Sequence, residues 1–255
     1  KTGSKKIGTT YENGIKNGIT KSWYQNGNLS YTHNYSDGKL NGVAINYHEN
    51  GHPKFQTIYK NDLQVGPFDT FYDNSNLRTS GFFNDEGEKH GLFTHWYPDG
   101  VKRYEGAFFE GKKNSTFIYF SRTGEKVEEV DYKMGVIDGE LVNYDKNGEI
   151  SVSISYEKGK RNGYYNQKEV DGENKVSGQY INGEKVGLWK IYFNGDILLE
   201  AIYERDKIVS SKLYSKGEIY RTNETPLPDW IIDIEDDLEK AEMIAMMGLD
   251  KSPNE

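Results

Sequence analysis

Gly18–Gly42, GITKSWYQNGNLSYTHNYSDGKLNG, is the unit that the rest of the chain copies. With Gly18 as position 0, an aromatic pair stands at positions 5 and 6 (Trp23, Tyr24) and Asn26-Gly27 at 8 and 9. Tyr35 follows at 17, Asp37-Gly38 at 19 and 20, and Gly42 restarts the pattern at 24. Two turn dipeptides at fixed offsets, joined by polar segments with regularly placed aromatics, describe one β-hairpin and its connection. A unit that recurs in register describes a repeat protein.

Copies begin at Gly18, Gly42, Gly66, Gly91, Ser115, Gly139, Gly163 and Gly187, spaced by 24 residues except for 25 between Gly66 and Gly91. The extra residue is assigned to the turn Asn84-Asp85-Glu86-Gly87, where an insertion costs little. Residues 3–18 read as a half-repeat with Tyr11 at position 17. The seventh copy has Lys168 in the aromatic position, and a last strand pair is expected from Ser210 to Tyr220.

A two-residue loop would set the position-5 aromatic opposite position 12. A three-residue loop, with Gly27 left-handed in a bulge, sets Trp23 opposite Leu29. The three-residue loop is expected, and with it all odd positions on one face. That face would be an aromatic seam running through Trp23, Tyr47, Phe71, Trp96, Phe120, Tyr144 and Tyr192, shared with Tyr31 and Tyr35. The even positions of the first strand are polar in repeats one and two and aromatic in repeats three to five. Phe68, Tyr72, Phe93, His95, Tyr97, Phe117 and Tyr119 are therefore expected to form an exposed partner-binding cluster, because a local departure from a repeat marks a contact surface better than the repeat itself. Trp189, Ile191 and Phe193 make repeat eight apolar on that face again.

Only 35% of the 255 residues are hydrophobic, whereas Gly (28) and Tyr (20) are abundant. That composition suits a thin sheet of stacked repeats better than a thick two-layer core. From Thr222 onward ten acidic residues face Lys240 and Lys251, so this segment carries −10 + 2 = −8, the whole net charge. The other 221 residues hold 30 acidic and 30 basic groups. A neutral body argues against nucleic-acid partners, which need a basic stripe, and against favouring contact with anionic membranes. There is no cysteine and no run approaching the ~18 apolar residues of a membrane span. The first residue is Lys1, which leaves room for a removed export signal; a cell-envelope or periplasmic location is expected, with the cytoplasm as the alternative.

His48-Glu49-Asn50-Gly51-His52 matches the zinc-protease pattern H-E-x-x-H, whose chemistry requires a helix. Here it is in register with Tyr24-Gln25-Asn26-Gly27-Asn28 and reads as a hairpin turn. His90 and His95 lack a surrounding ligand set and are expected on the sheet surface. No P-loop, G-x-S-x-G elbow or recognisable carboxylate pair occurs, so neither catalytic residue, metal nor cofactor is expected. After Tyr220, Thr225-Pro226-Leu227-Pro228 reads as linker. Asp229 to Gly248 reads as an acidic amphipathic helix with Ile231, Ile234 and Leu238 on one stripe, expected to dock on Trp189, Ile191 and Phe193.

The pattern resembles the MORN-repeat variant family over about residues 3–220, in its aromatic-x-x-x-Gly turn, later Tyr and closing Gly. The resemblance implies a non-enzymatic protein-binding protein, most concretely a bacterial antitoxin or immunity protein that neutralises a toxin, with a membrane-associated scaffold as the alternative. The fold expected is all-β: an elongated single-layer antiparallel β-meander of about nine hairpin repeats over 1–221, a linker over 222–228, a C-terminal α-helix over 229–248 and a tail over 249–255.

Overall fold

The fold is taken from a computed structural model that describes residues 6–169, 172–215 and 217–223. The predicted helix over 229–248, the tail, and the linker from residue 224 onward lie outside the described residues. All described elements are β-strands, twenty in antiparallel hairpin succession. They fall into two compact units, Lys1–Glu125 with Tyr132–Gly135, and Lys126–Asp131 with Val136–Glu255.

The first unit contains β1 (Ile7–Glu12), β2 (Ile15–Trp23), β3 (Leu29–Ser36), β4 (Lys39–Tyr47), β5 (Pro53–Lys60) and β6 (Leu63–Phe71). It continues through β7 (Leu77–Phe83), β8 (Gly91–Trp96), β9 (Lys102–Phe109), β10 (Lys112–Lys113) and β11 (Thr116–Phe120). The β2–β3 turn has the expected three-residue form. Gly27 takes φ 90°, its N–H donates to the Tyr24 carbonyl at 3.1 Å and Tyr24 N–H donates to Asn28 O at 2.8 Å. Trp23 stands opposite Leu29.

The expectation that all odd positions share one face is corrected by the register, in which Ser22 pairs with Tyr31, not Ser30. Ser30 is thus an extra residue on its strand, and one extra residue inverts the alternation beyond it. Trp23 and Leu29 share a face, while Tyr31, His33 and Tyr35 join Ser22, Thr20 and Gly18 on the other. The same shift recurs at Lys54, Arg78 and Arg103. Each hairpin therefore has a packed face, made of even positions on the first strand and odd ones on the second, and an open face.

A second bulge accompanies the glycine that starts each repeat, such as Gly42 at φ 104°. Repeat five has Ser115 there instead. The strand breaks into β10 and β11, both paired with β9, and Ser115 Oγ accepts the Ala107 N–H at 2.7 Å. This break explains the strand count: one for the half-repeat, eighteen for nine hairpins, and one more.

Along the centre of the packed face runs one residue per strand: Thr20, His33, Ala44, Thr57, Phe68 and Gly81 stand directly opposite one another in turn, then Phe93, Gly106 and Phe117. Large sits beside small. A Cβ added to Gly81 would come within 2.3 Å of the Phe93 ring, and one added to Gly106 within 2.5 Å of Phe117. The rings of Phe55, Phe68, Phe83, Phe93, Phe108, Phe117 and Tyr132 meet edge to face in succession, with centroids 5.1 to 5.8 Å apart. Such contacts are worth about 0.5–1.5 kcal/mol each beyond the area they bury.

Long side chains two residues before the repeat start close over these rings. Lys89 Nζ lies 5.3 Å from the Phe93 centroid and 4.9 Å from Phe108. Lys113 Nζ lies 4.4 Å from Phe117 and 4.3 Å from Tyr132. The aliphatic stems shield apolar surface while the ammonium stays near water and over a ring face.

The second unit includes β13 (Val136–Tyr144), β14 (Ile150–Glu157), β15 (Lys160–Lys168), β16 (Lys175–Ile181), β17 (Glu184–Phe193), β18 (Asp196–Glu204), β19 (Lys207–Ser215) and β20 (Glu218–Asn223), with β12 (Lys126–Lys133) divided between the two units. The same device recurs. Trp189 is 1% exposed, a Cβ on Gly178 would meet its ring at 2.1 Å, and Lys185 Nζ lies 4.8 Å from its centroid. The helix expected to dock on Trp189, Ile191 and Phe193 lies outside the described residues, and the strands themselves already cover two of these three side chains. Trp189 and Ile191 are buried in the core with Leu199 and Ala201, because β18 to β20 continue the meander past them.

The size-matched row generates a test. Gly106→Ala, in extended backbone with no positive φ, should destabilise the protein by about 1–3 kcal/mol through overpacking against Phe117, read as a lower urea midpoint. Phe117→Leu in the same chain should recover part of the loss. An unchanged midpoint for the single variant would show that the row tolerates a methyl group there.

Candidate functional site

The seven residues singled out from the sequence all lie in the first unit, and the register brings them to its packed face. Two of them need correction as contact residues. Phe93 is 3% exposed and Phe117 1%, so they are core, held under Lys89 and Lys113 and against the glycines of the neighbouring strands. Their even spacing signalled clustering correctly, but the single sheet with its lysine lids covers what a bare sheet would expose. Phe68, Tyr72, His95, Tyr97 and Tyr119 remain half-buried.

The position-6 side chains serve the stacking of repeats. Tyr24 Oη donates to the Tyr47 carbonyl at 2.7 Å, Tyr72 Oη to Trp96 O at 2.7 Å, and Tyr97 Oη to Phe120 O at 3.2 Å. His48 does the same work, with Nε2 3.0 Å from Phe71 O. The H-E-x-x-H match thus occupies a hairpin turn, where His48 N–H donates to His52 O at 2.8 Å and His52 Nδ1 contacts Ser75 Oγ. The turns themselves are linked by Asn side chains: Asn26 and Asn28 both donate to Glu49 O, and Asn74 and Asn76 both to Pro98 O.

His95 stands half-buried on the packed face of the sheet. Its Nδ1 lies 2.8 Å from Thr79 Oγ1, and its ring stacks on Tyr104 at 5.2 Å and 8°. Tyr104 in turn approaches Tyr119 at 5.8 Å. Burial, and then the nearby guanidiniums of Arg103 and Arg78, hold the His95 pKa below its usual value. Lys113 is shifted the other way: burial pushes it down, but the Tyr119 and Tyr132 hydroxyls outweigh this and leave it raised.

Between repeats three and four these groups line a groove of about 340 Å³. Phe68, Phe83 and Phe93 form much of its apolar lining, His95 and Tyr104 add the stacked pair, and Arg78 and Lys89 supply the charge. Arg78 lies over the Tyr72 ring at 5.8 Å, while Arg103 and Arg122 lie over Tyr97 at 5.8 and 5.2 Å. Among the described residues no cluster of His, Asp and Glu is placed to hold a metal ion. The arrangement offers flat rings and planar cations, which suit recognition of another chain.

Sequence reasoning missed the covering cations and the glycines beneath the rings. A signal existed for both. Lys16, Lys89, Lys113 and Lys185 recur two residues before a repeat start, and Gly81, Gly106 and Gly178 occur beside aromatic position-2 residues.

The fold defines a β-hairpin repeat protein. A family model described as the MORN repeat variant matches residues 16–37, 40–61 and 89–110, so in these three windows the chain is similar to that family, whose repeats generally bind proteins or membranes. Each matched window opens two residues before a repeat start, at Lys16, Leu40 or Lys89, the position from which Lys16 and Lys89 reach over a ring. A search of curated proteins found no match.

Two measurements check these assignments. Because the native His95 pKa is lowered, the unfolded chain takes up its proton first as pH falls, so His95 costs stability below its ordinary value of 6.5. His95→Gln should therefore lose less stability than the parent between about pH 7.5 and about pH 5 in urea titrations; equal losses would place the acid sensitivity elsewhere. His48→Tyr, which installs the residue of the neighbouring repeats, should leave the melting temperature and zinc content unchanged. Zinc lost with this substitution would restore the metal reading.

Proposed function

We propose that the chain is a non-enzymatic protein-binding repeat protein, most concretely a bacterial antitoxin or immunity protein that occludes a cognate toxin. The observation that carries protein binding is the groove on the first unit, where half-buried aromatics share one face with the exposed Arg78 and Lys89. Rings and guanidiniums are the side chains that most often anchor protein interfaces. Phe68, Tyr72, His95, Tyr97 and Tyr119 are the contact positions in this reading, with Phe93 and Phe117 as the support beneath them. The antitoxin role draws on the resemblance of the repeats. The membrane-scaffold alternative draws on the open face, where Val43, Phe82 and Leu92 are exposed, Leu92 by 59%.

Co-expression with the product of the neighbouring gene tests the reading. The expected result is rescue of growth from a toxic product and a stable complex on size-exclusion chromatography. A toxic neighbour that is neither bound nor neutralised would overturn the antitoxin role. Sedimentation with anionic vesicles at physiological salt, in the absence of such a complex, would favour the scaffold.

A further inference from the structure

The net neutrality of residues 1–221 conceals an unequal division of charge between the two faces of the first unit. Its acidic residues avoid the packed face. Asp69 pairs with Ser80 and Glu105 with Thr94, on alternate positions directed to the open side. Glu12, Asp37, Glu49, Asp62, Asp73, Asp85, Asp99 and Glu110 fall in or beside turns. The cations are divided differently. Lys102 and Lys60 pair with Glu105 and Asp85 away from the packed face. Lys16, Arg78, Lys89, Arg103 and Lys113 lie over the packed-face rings, and among the described residues none of these five has an ion-pair partner. Arg78, Lys89 and Arg103 are also exposed.

A groove with unpaired cations and an aromatic lining is complementary to a chain that carries both carboxylates and an apolar side chain. We propose that the packed face of the first unit, at the groove bounded by Arg78 and Lys89, receives an extended acidic segment of a protein partner. Carboxylates of that segment pair with Arg78, Arg103 and Lys89, and an apolar side chain enters between Phe68 and His95. The assignment rests on the protein-binding reading above and names the chemistry of the partner. Planar guanidiniums already held over Tyr72 and Tyr97 lose little freedom on pairing with a carboxylate. A membrane is the poorer fit, because interfacial binding needs cations and exposed apolar groups on one surface. Here Val43, Phe82 and Leu92 belong to the opposite face from the groove.

The test uses the full chain and a fluorescein-labelled peptide of about twelve residues built from Glu-Glu-Phe repeats, an extended acidic probe of the kind grooves bind. Fluorescence anisotropy should show saturable binding that weakens as salt rises. Arg78→Gln with Arg103→Gln leaves every lysine lid in place and should weaken binding by roughly tenfold or more, with unchanged near-ultraviolet circular dichroism. Lys60→Gln with Lys102→Gln should bind as the parent does. Equal binding of a Lys-Lys-Phe peptide, no binding of the acidic one, or indifference to the arginine pair would overturn the assignment. So would preference for phosphatidylserine vesicles, or saturation of the face by a peptide of residues 222–255 alone. A partner found by co-expression that binds the arginine variant undiminished would overturn this assignment too, yet leave the protein-binding function standing.

Discussion

The structure depends on covering aromatic rings on a sheet that packs its own face. A ring on a bare strand keeps much of its area in water, and here the side chains of adjacent strands must supply the missing contacts. Glycine on the next strand lets the ring lie across the backbone, the position-17 ring meets it edge-on, and a long cationic side chain closes over the top. Each element compensates for a deficiency of the others. Glycine weakens a strand by itself, but the aromatic ring shields the backbone it leaves bare. The same solution appears around Phe93 and Phe117 in the first unit and around Trp189 in the second.

This arrangement explains why the turn geometry matters so far from the turn. The bulge after each three-residue loop adds one residue to the second strand and exchanges its faces. Without it, Tyr35 would lie on the face of Trp23, away from Thr20 and the central row. With it, the position-2, position-15 and position-17 side chains converge. The left-handed glycine of the loop and the rings of the core are thus parts of one constraint, linked through register.

The covering cations also join stability to recognition. Lys89 lies over core rings and borders the groove, and Arg78 lies over the half-buried Tyr72 ring and lines the groove as well. A residue that shields a ring from water must keep its charge at the surface, so covering a thin core places a row of positive charge along its face. Net charge, which sums over both faces and all turns, carries no trace of this division. Neutrality of the body therefore limits long-range attraction without preventing a locally basic surface.

The repeat length, the all-β meander, the three-residue loop and the pairing of Trp23 with Leu29 were all legible in the amino-acid sequence. These follow from local rules: turn dipeptides need left-handed residues, and their spacing sets strand length. His48 and His52 were legible as turn residues too, since register with Tyr24 and Asn28 leaves no room for a helix. Which face is buried was settled only in three dimensions, because one unannounced residue at Ser30, Lys54, Arg78 and Arg103 reverses the alternation. Packing alone turned Phe93 and Phe117 from contact residues into core, and filled the space around Trp189 with later strands. The physical reason is that burial in this sheet is a relation between residues about a strand apart in space and 11 or 12 residues apart in sequence, such as Phe93 with Gly81 or Phe117 with Gly106. A periodic pattern shows which residues can meet, and packing decides which of them water no longer reaches.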